Sequence, residues 1–356
     1  LRVEELDWEV PEELIAQAPL SERDAARLLV LKNESGLMEH RMVRDLPRLV
    51  KPALWVFNTT RVVPARLTGR LMGVREGGIP VEMLLIERLS EQEWLAWAKP
   101  ARRFREGALL TFGAGQLVAE VKSRRATGEV VVQMRSPDGA IEDAIAHVAT
   151  LALPPYIKRA AKPEDEDRYQ TLFAKEPGAI AAPTAGLHFS ARLLDELRAA
   201  GHRTASIVLH VGPGTFAPVR VETLSSHAMH REQFEISEQT AQAIAAARSE
   251  GRPIVAVGTT VLRALESSLV HSDRGEVQAV RRGSTDLFIY PPYKIRSIDA
   301  LMTNFHTPQS TLLALVMAWS GVEPIRRAYQ AAVRERYRFF SYGDATLLGA
   351  DWVFGA

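Results

Sequence analysis

Two rhythms of apolar and polar positions divide the chain. From about Arg61 to about Arg135, short alternating runs are separated by Gly-rich turns: RLTGRLMG, VEMLLIE, EWLAWAKP, ALLTFGAG, QLVAEVKS and GEVVVQMRS. Period-two alternation at this spacing, with no helical period among the runs, predicts six strands of a small β-barrel or sandwich. Outside that region the pattern changes to apolar blocks alternating with amphipathic helices. LLVL (28–31) and ALWVF (53–57) read as buried strands, as do TASIVLHV (204–211), PIVAVG and DLFIYPP (286–292). ARLLDELRAAG, EQTAQAIAAARSEG, TTVLRALESSL and STLLALVMAWSG read as the helices between and after them. Ser190 and Ser237 precede two of these helices and suit N-caps, since a hydroxyl accepts a free amide hydrogen of the first turn.

Strand–loop–helix alternation argues for α/β layers. The fold class expected is therefore an α/β main domain, a layered sheet with flanking helices, carrying an inserted small all-β barrel-like domain. The main domain is expected to be discontinuous, over 1–60 and 151–356, and the insertion to cover 61–150. IEDAIAHVAT reads as a short helix near the end of the insertion, and LPPYIKR (153–159) as a Pro-marked return.

Composition narrows the chemistry. With 356 residues, 46% apolar and 24% charged, the chain has the balance of an ordinary globular protein. It has no cysteine, which removes a thiol nucleophile, disulfides and Cys-type metal sites. The first residues carry Arg2, Glu4, Glu5 and Asp7 rather than an apolar run, and the most apolar segment, LLALVMAW, is far short of a membrane span. A cytoplasmic chain without membrane association is expected. The net charge is only +1, yet residues 61–135 hold thirteen Lys or Arg against eight Glu and no Asp. KPARRFR and KSRR concentrate these cations, so Lys99, Arg102, Arg103 and Arg105, with Arg61, Arg66 and Arg159, are candidates to neutralise the phosphates of an RNA.

Candidate chemistry sits where strands end. In open α/β sheets ligands bind beyond the carboxyl ends of the strands. There ALWVF runs into NTTRVVPAR, IVLH into VGPGTFAPV, IVAV into GTTVLR, and DLFIY into PPY. Gly212, Gly214 and Gly258 let backbone approach a ligand, and Thr215, Thr259 and Thr260 add hydroxyls. Taken alone, each of these is equally a turn and a cap. AAPTAGLHFS (181–190) and TNFHTPQSTLL (303–313) share a second pattern, a His and a Pro before a Ser-capped helix. His188, His210 and His306 lie in such loops or at strand ends, where imidazole suits acid–base work or binding. HAMHRE has no established metal-ligand spacing, and no metal is expected.

These segments resemble the S-adenosylmethionine:tRNA ribosyltransferase-isomerase family of queuosine biosynthesis. The resemblance runs from near residue 6 to about 348 and is carried by FNTTRVVPARL, LPPYIKR, APTAGLHF, LHVGPGTFAPV, HAMHREQFEI, AVGTTVLRALES, TDLFIYPPY, TNFHTPQSTLLALV and YRFFSYGDA. Two positions depart from the family pattern. Thr59 stands where an Asp is usual, which removes a carboxylate near Arg61, and Ser284 stands where a Trp often precedes the Thr-Asp pair. The resemblance implies that the ribosyl part of S-adenosylmethionine moves onto the aminomethyl group of a 7-deazaguanine base in tRNA. There it is rearranged to an epoxycyclopentane, and adenine and methionine leave. S-adenosylmethionine is then a co-substrate, tRNA the macromolecular partner, and no metal or prosthetic group is expected. A monomer is expected to suffice.

Roles are assigned from residue chemistry. A base must take a C5′ proton acidified by the sulfonium, and departing adenine needs a proton. His188 and His210 are candidates for these steps, with Glu232 and Asp344 to hold the amine or relay protons. Gly258, Thr259, Thr260 and Arg263 are candidates for the methionine carboxylate, and Asp286, Asn304 and His306 for adenine and ribose. The residues alone also admit a His/Asp-dependent hydrolase on the same scaffold, or a non-catalytic RNA-binding protein.

Overall fold

The computed structural model describes residues 2–73, 76–126, 128–216, 219, 221–270 and 275–355. They form two units: residues up to Arg61 with Pro154–Arg159 and Glu166 onward, and Val62–Leu153 with Ala160–Asp165.

Side-chain alternation along β3 (Leu54–Asn58) shows how the first unit is filled. Leu54 and Val56 enter one apolar core, while Trp55 and Phe57 enter another on the opposite face. The same split holds in β1 (Arg27–Lys32), where Leu29 and Leu31 oppose Leu28 and Val30. A strand buried on both faces must be apolar throughout, which is why these segments read as continuous apolar blocks.

Numbering all strands in chain order, β2 is Met38–Met42, β4 Thr60–Val62, β11 Glu176–Ala179, β12 Arg203–Leu209, β13 Glu232–Ile236, β14 Ile254–Val257, β15 Val280–Thr285, β16 Ala300–Asn304 and β17 Ala345–Gly349. Nine of them make one sheet in the order β15-β13-β12-β3-β14-β16-β17-β1-β2, and β4 and β11 make a two-stranded ribbon. β12, β3, β14 and β16 run parallel, so their carboxyl ends share one edge. The helices are α1 (Leu46–Leu49), α2 (Ile141–Val148), α3 (Pro163–Arg168), α4 (Ala191–Ala199), α5 (Glu238–Ser249), α6 (Thr259–Val270), α7 (Thr311–Ser320) and α8 (Val322–Arg334). Helices α5 to α8 supply the first core and α1 and α4 the second, giving helix–sheet–helix layers. Ser190, Ser237 and Ser310 cap α4, α5 and α7 by accepting the amides of Leu193, Thr240 and Leu313.

The second unit is a closed barrel of β5 (Arg66–Leu71), β6 (Ile79–Arg88), β7 (Glu93–Lys99), β8 (Leu109–Phe112), β9 (Leu117–Arg124) and β10 (Val130–Arg135), the six alternating runs of the sequence. Gly69 is required by its packing, because a Cβ there would sit 2.2 Å from the Thr111 carbonyl oxygen and against the Phe112 ring.

One sequence expectation is corrected. DLFIYPP is not a strand; the ladder is formed just before it, by β15. Pro291 and Pro292 have no amide hydrogen to donate, and the Leu287 carbonyl is taken by the Arg263 side chain. The true strand, VRRGST, is mostly exposed on one side and lies at the sheet edge, so it carries no apolar block.

Candidate active site

The shared carboxyl edge of β12, β14 and β16 opens into a solvent-connected cleft. Four of the predicted loops meet there. Pro183 and Thr184 come from the APTAGLH loop, Thr215 from the loop after β12, Gly258–Thr260 from the turn into α6, and Asn304–Thr307 from the loop after β16. Tyr156, Phe340 and Ser341 complete the wall. None of the described residues lining the cleft carries a permanent charge.

Gly258 makes the turn from β14 into α6. Its φ of +98° suits glycine, and its amide donates to the Met302 carbonyl at 2.8 Å. Thr259 and Thr260 follow at the helix start, where amide hydrogens lack intrahelical partners. Asn58, at the end of β3, braces this turn: its Nδ2 donates to the Leu209 carbonyl at 2.9 Å and to Thr260 Oγ1 at 3.3 Å. Its Oδ1 accepts the amides of Thr60 and Leu209, both at 3.1 Å.

The histidines are not equivalent. His306 is buried in the cleft wall with Nε2 3.1 Å from Thr303 Oγ1, and its amide donates to the Tyr329 hydroxyl at 3.0 Å. Burial pushes its pKa down to about 3. His188 lies behind the cleft, with Nε2 3.1 Å from Asn304 Nδ2. Burial, then the guanidiniums of Arg23 and Arg338, push its pKa down to about 4. His210 is half-buried on another side of β12, where Nδ1 lies 2.8 Å from Thr60 Oγ1. A Cβ on Gly178 would come within 2.8 Å of the His210 ring. Burial lowers its pKa, with Glu235 and Glu176 acting in the opposite sense.

The carboxylates are occupied by the protein. Glu232 and Arg263 form a buried ion pair through Oε2 and Nη1, and Glu232 Oε1 accepts the Gly212 amide at 3.1 Å. Arg263 Nε donates to the Leu287 carbonyl at 3.1 Å, while its Nη2 is buried without a partner among the described residues. Gly214 packs under the His230 ring, 2.5 Å from where a Cβ would stand. Asp344 spends both oxygens on backbone, accepting from Arg27 at 2.9 Å and Arg338 at 2.8 Å, and its burial raises its pKa. Asp286 is exposed and 3.5 Å from Arg231. None of these three carboxylates lines the cleft. Parts of the APV segment that follows Phe216, Ala217 and Pro218, lie outside the described residues.

Sequence reasoning passed over Tyr156, Thr303, Phe340 and Ser341 as wall residues. Tyr156 and Phe340 lie 4.8 Å apart between ring centroids with their planes tilted by 49°, and the Tyr156 hydroxyl meets Ser341 Oγ at 2.6 Å. Their segments, LPPYIKR and RFFSYGDA, were legible as unusual, but which ring faces a cleft depends on backbone direction. Phe340 has a φ of +70°, which no sequence pattern announces.

In the barrel unit, Val130 faces Ala96 of β7 on one side and Arg124 of β9 on the other. Lys99 and Arg124 therefore leave the barrel at one end. The turn Ala101–Arg103 follows β7, and buried Phe104 anchors it while Lys99, Arg102 and Arg105 are exposed and Arg103 half-buried. None of these four cations forms an ion pair among the described residues. Arg66 differs: its Nη2 donates to the Leu153 carbonyl at 3.2 Å and its Nε lies 3.6 Å from Glu82. Arg61 is exposed in the main unit, and Arg159 donates to the Gln17 carbonyl at 2.9 Å.

Against known proteins, the profile described as queuosine biosynthesis protein matches residues 3–348. The chain is 47% identical over 349 residues to the S-adenosylmethionine:tRNA ribosyltransferase-isomerase of Carboxydothermus hydrogenoformans, covering 98% of this chain and 100% of that one. It is 48% identical over 349 residues to the enzyme of the same name from Moorella thermoacetica, with the same coverage. The crystal structure of S-adenosylmethionine tRNA ribosyltransferase from Thermotoga maritima superposes with a TM-score of 0.54 at 34% identity, covering 97% of this chain and 99% of that one.

Proposed function

The chain belongs to the queuosine-biosynthesis family of S-adenosylmethionine:tRNA ribosyltransferase-isomerases, and from that premise we propose how its own residues serve the reaction. The enzyme is a transferase-isomerase with S-adenosylmethionine and tRNA as substrates. It moves the ribosyl group to the aminomethyl group of a 7-deazaguanine base, forms epoxyqueuosine, and releases adenine and methionine. The observation that carries this reading is the near-identical length and 47–48% identity to enzymes of that name. No observation favours a hydrolase or a non-catalytic binding protein.

S-adenosylmethionine occupies the cleft at the β14–β16 edge. Its carboxylate meets the amides and hydroxyls of Thr259 and Thr260, because a helix start offers donors and positive potential to an anion. Arg263 supports this turn from one helical turn below, with Glu232 holding it and the Gly212 loop in register. His306 is the imidazole in the cleft wall; burial keeps it neutral, so it serves as a hydrogen-bonding group toward adenine or ribose and not as the proton acceptor. His210, beside Thr60 Oγ1 at the end of β12, is the imidazole left for the proton steps. The nucleophile is the amine of the RNA base, so the reaction needs none from the protein.

The tRNA is held in part by Lys99, Arg102, Arg103 and Arg105 at one end of the barrel. Four cations that form no ion pair among the described residues suit a phosphate backbone. The chain works as a cytoplasmic monomer without a prosthetic group. Incubation with S-adenosylmethionine and precursor tRNA tests the reading: adenine appears in proportion to modified tRNA, and its absence overturns it.

A further inference from the structure

We propose that His188 is a positioning residue that, together with the Phe340 carbonyl, holds the Asn304 amide so that its oxygen meets the substrate, and that the acceptor pair so presented, Asn304 Oδ1 with Thr184 Oγ1, reads the 6-amino group of the adenine in S-adenosylmethionine. The proposal rests on the ribosyltransferase reading and adds a specificity device to its cleft.

Three partner atoms determine the orientation of Asn304. Its Nδ2 lies 3.1 Å from the Phe340 carbonyl oxygen and 3.1 Å from His188 Nε2. A carbonyl oxygen only accepts, so Nδ2 must face it; the flipped amide would set two oxygens together. The second amide hydrogen then goes to His188 Nε2, which must accept, so the imidazole is neutral with its proton on Nδ1. Both donors of Asn304 are consumed inside the wall. Oδ1 accepts from Thr184 Oγ1 at 2.9 Å and keeps a second lone pair. Asn304 and Thr184 both line the cleft.

The charged groups around His188 favour the same state. Arg23 donates to the Leu187 carbonyl at 3.2 Å, Arg168 donates to the Leu20 and Ser21 carbonyls, and the Arg338 amide is held by Asp344. Arg23, Arg168 and the Tyr342 and Gly343 segment line the small hollow on the His188 side. Asp344 spends both oxygens on backbone amides, so an imidazolium here would face guanidiniums without a free carboxylate. An Nε2–H would also abut the amide of Asn304. His188 therefore cannot pass a proton to the cleft without breaking the arrangement that fixes Asn304.

The wall chooses the donor that the acceptor pair receives. An ammonium would call for a carboxylate, and none lines the cleft among the described residues. A planar, neutral base fits beside the Tyr156 and Phe340 rings, and its exocyclic amine supplies the N–H. A 6-oxo purine would present an acceptor to an acceptor, which buried sites reject strongly.

The test compares S-adenosylmethionine with its 6-oxo analogue, by base release with precursor tRNA and by calorimetric binding. Wild type is expected to favour the 6-amino substrate by on the order of a hundredfold in kcat/KM. Asn304→Leu reduces that preference to within about threefold, as does His188→Leu. His188→Gln, whose side-chain carbonyl can accept from Asn304, keeps the preference and the shape of the pH–rate profile. Equal use of the two substrates by wild type overturns the proposal, and so does loss of one limb of the pH profile in His188→Gln. A chain that binds the 6-amino compound selectively yet releases no adenine upholds this inference while overturning the ribosyltransferase reading.

Discussion

Glu232 and Arg263 pair with each other in the interior, although each has the chemistry to bind a charged substrate. Both are almost fully buried, and Glu232 also holds the Gly212 amide. The pair therefore ties the start of β13, the loop after β12 and the second turn of α6 into one piece.

Removing one partner should expose that role. Arg263→Ala leaves a buried carboxylate unpaired, which costs about 3–5 kcal/mol. Thermal or denaturant unfolding should show the loss, and the double substitution Glu232→Leu, Arg263→Met should recover a large part of it. A single variant as stable as wild type would show that the pair contributes nothing.

Gly258 offers a test of the turn into α6. Its φ of +98° is strained for any L side chain. Gly258→Ala should cost about 1 kcal/mol or more in stability. It should also raise KM for S-adenosylmethionine severalfold while tRNA binding stays constant, because the displaced amides are those proposed to hold the carboxylate. Steady-state kinetics with each substrate varied separately checks this.

Much of this arrangement was legible in the chain and some was not. Apolar blocks such as LWVF and IVAV announce strands buried on both faces, and Ser190, Ser237 and Ser310 announce helix starts, because local chemistry fixes both. Strand β15 was not legible since an edge strand with one exposed side has no apolar block, and an apolar run ending in two prolines drew the reading away from it. The pattern picked out His188 and Asn304 separately. That Asn304 fills the space between His188 and the cleft depends on packing 116 residues apart in sequence. Likewise Glu232 and Arg263 were both visible as charges, but their mutual neutralisation is a property of the sheet order, not of spacing.

The barrel cations should act through phosphates. Replacing Arg102, Arg103 and Arg105 with Ala should weaken tRNA binding and lower the slope of log K against log salt by about 2–3. Arg135→Ala, at the other end of β10, should change the slope little. Filter binding over a salt series measures both, and an unchanged slope in the triple variant would remove the barrel end from the RNA surface.

Acid should destabilise the protein through its buried histidines. Above the ordinary imidazole pKa of 6.5 both folded and unfolded chains hold neutral rings. Below it the unfolded chain takes up protons that the fold refuses, until about pH 4 for His188 and about pH 3 for His306. The folded pKa is depressed, so stability falls as pH falls, by about 1.4 kcal/mol per pH unit for each ring. Asp344, whose pKa is raised by burial, opposes this at the acid end. Urea unfolding between pH 7 and 5 should show the decline, and His306→Gln should shallow it.

One cleft of this chain should convert S-adenosylmethionine only when an amine-bearing tRNA is present to receive the ribosyl group. A single-turnover reaction with limiting precursor tRNA measures it directly. Free adenine should form in one-to-one ratio with modified tRNA and stop when the tRNA is consumed. Adenine formed without tRNA, or modified tRNA formed without adenine, would contradict the account.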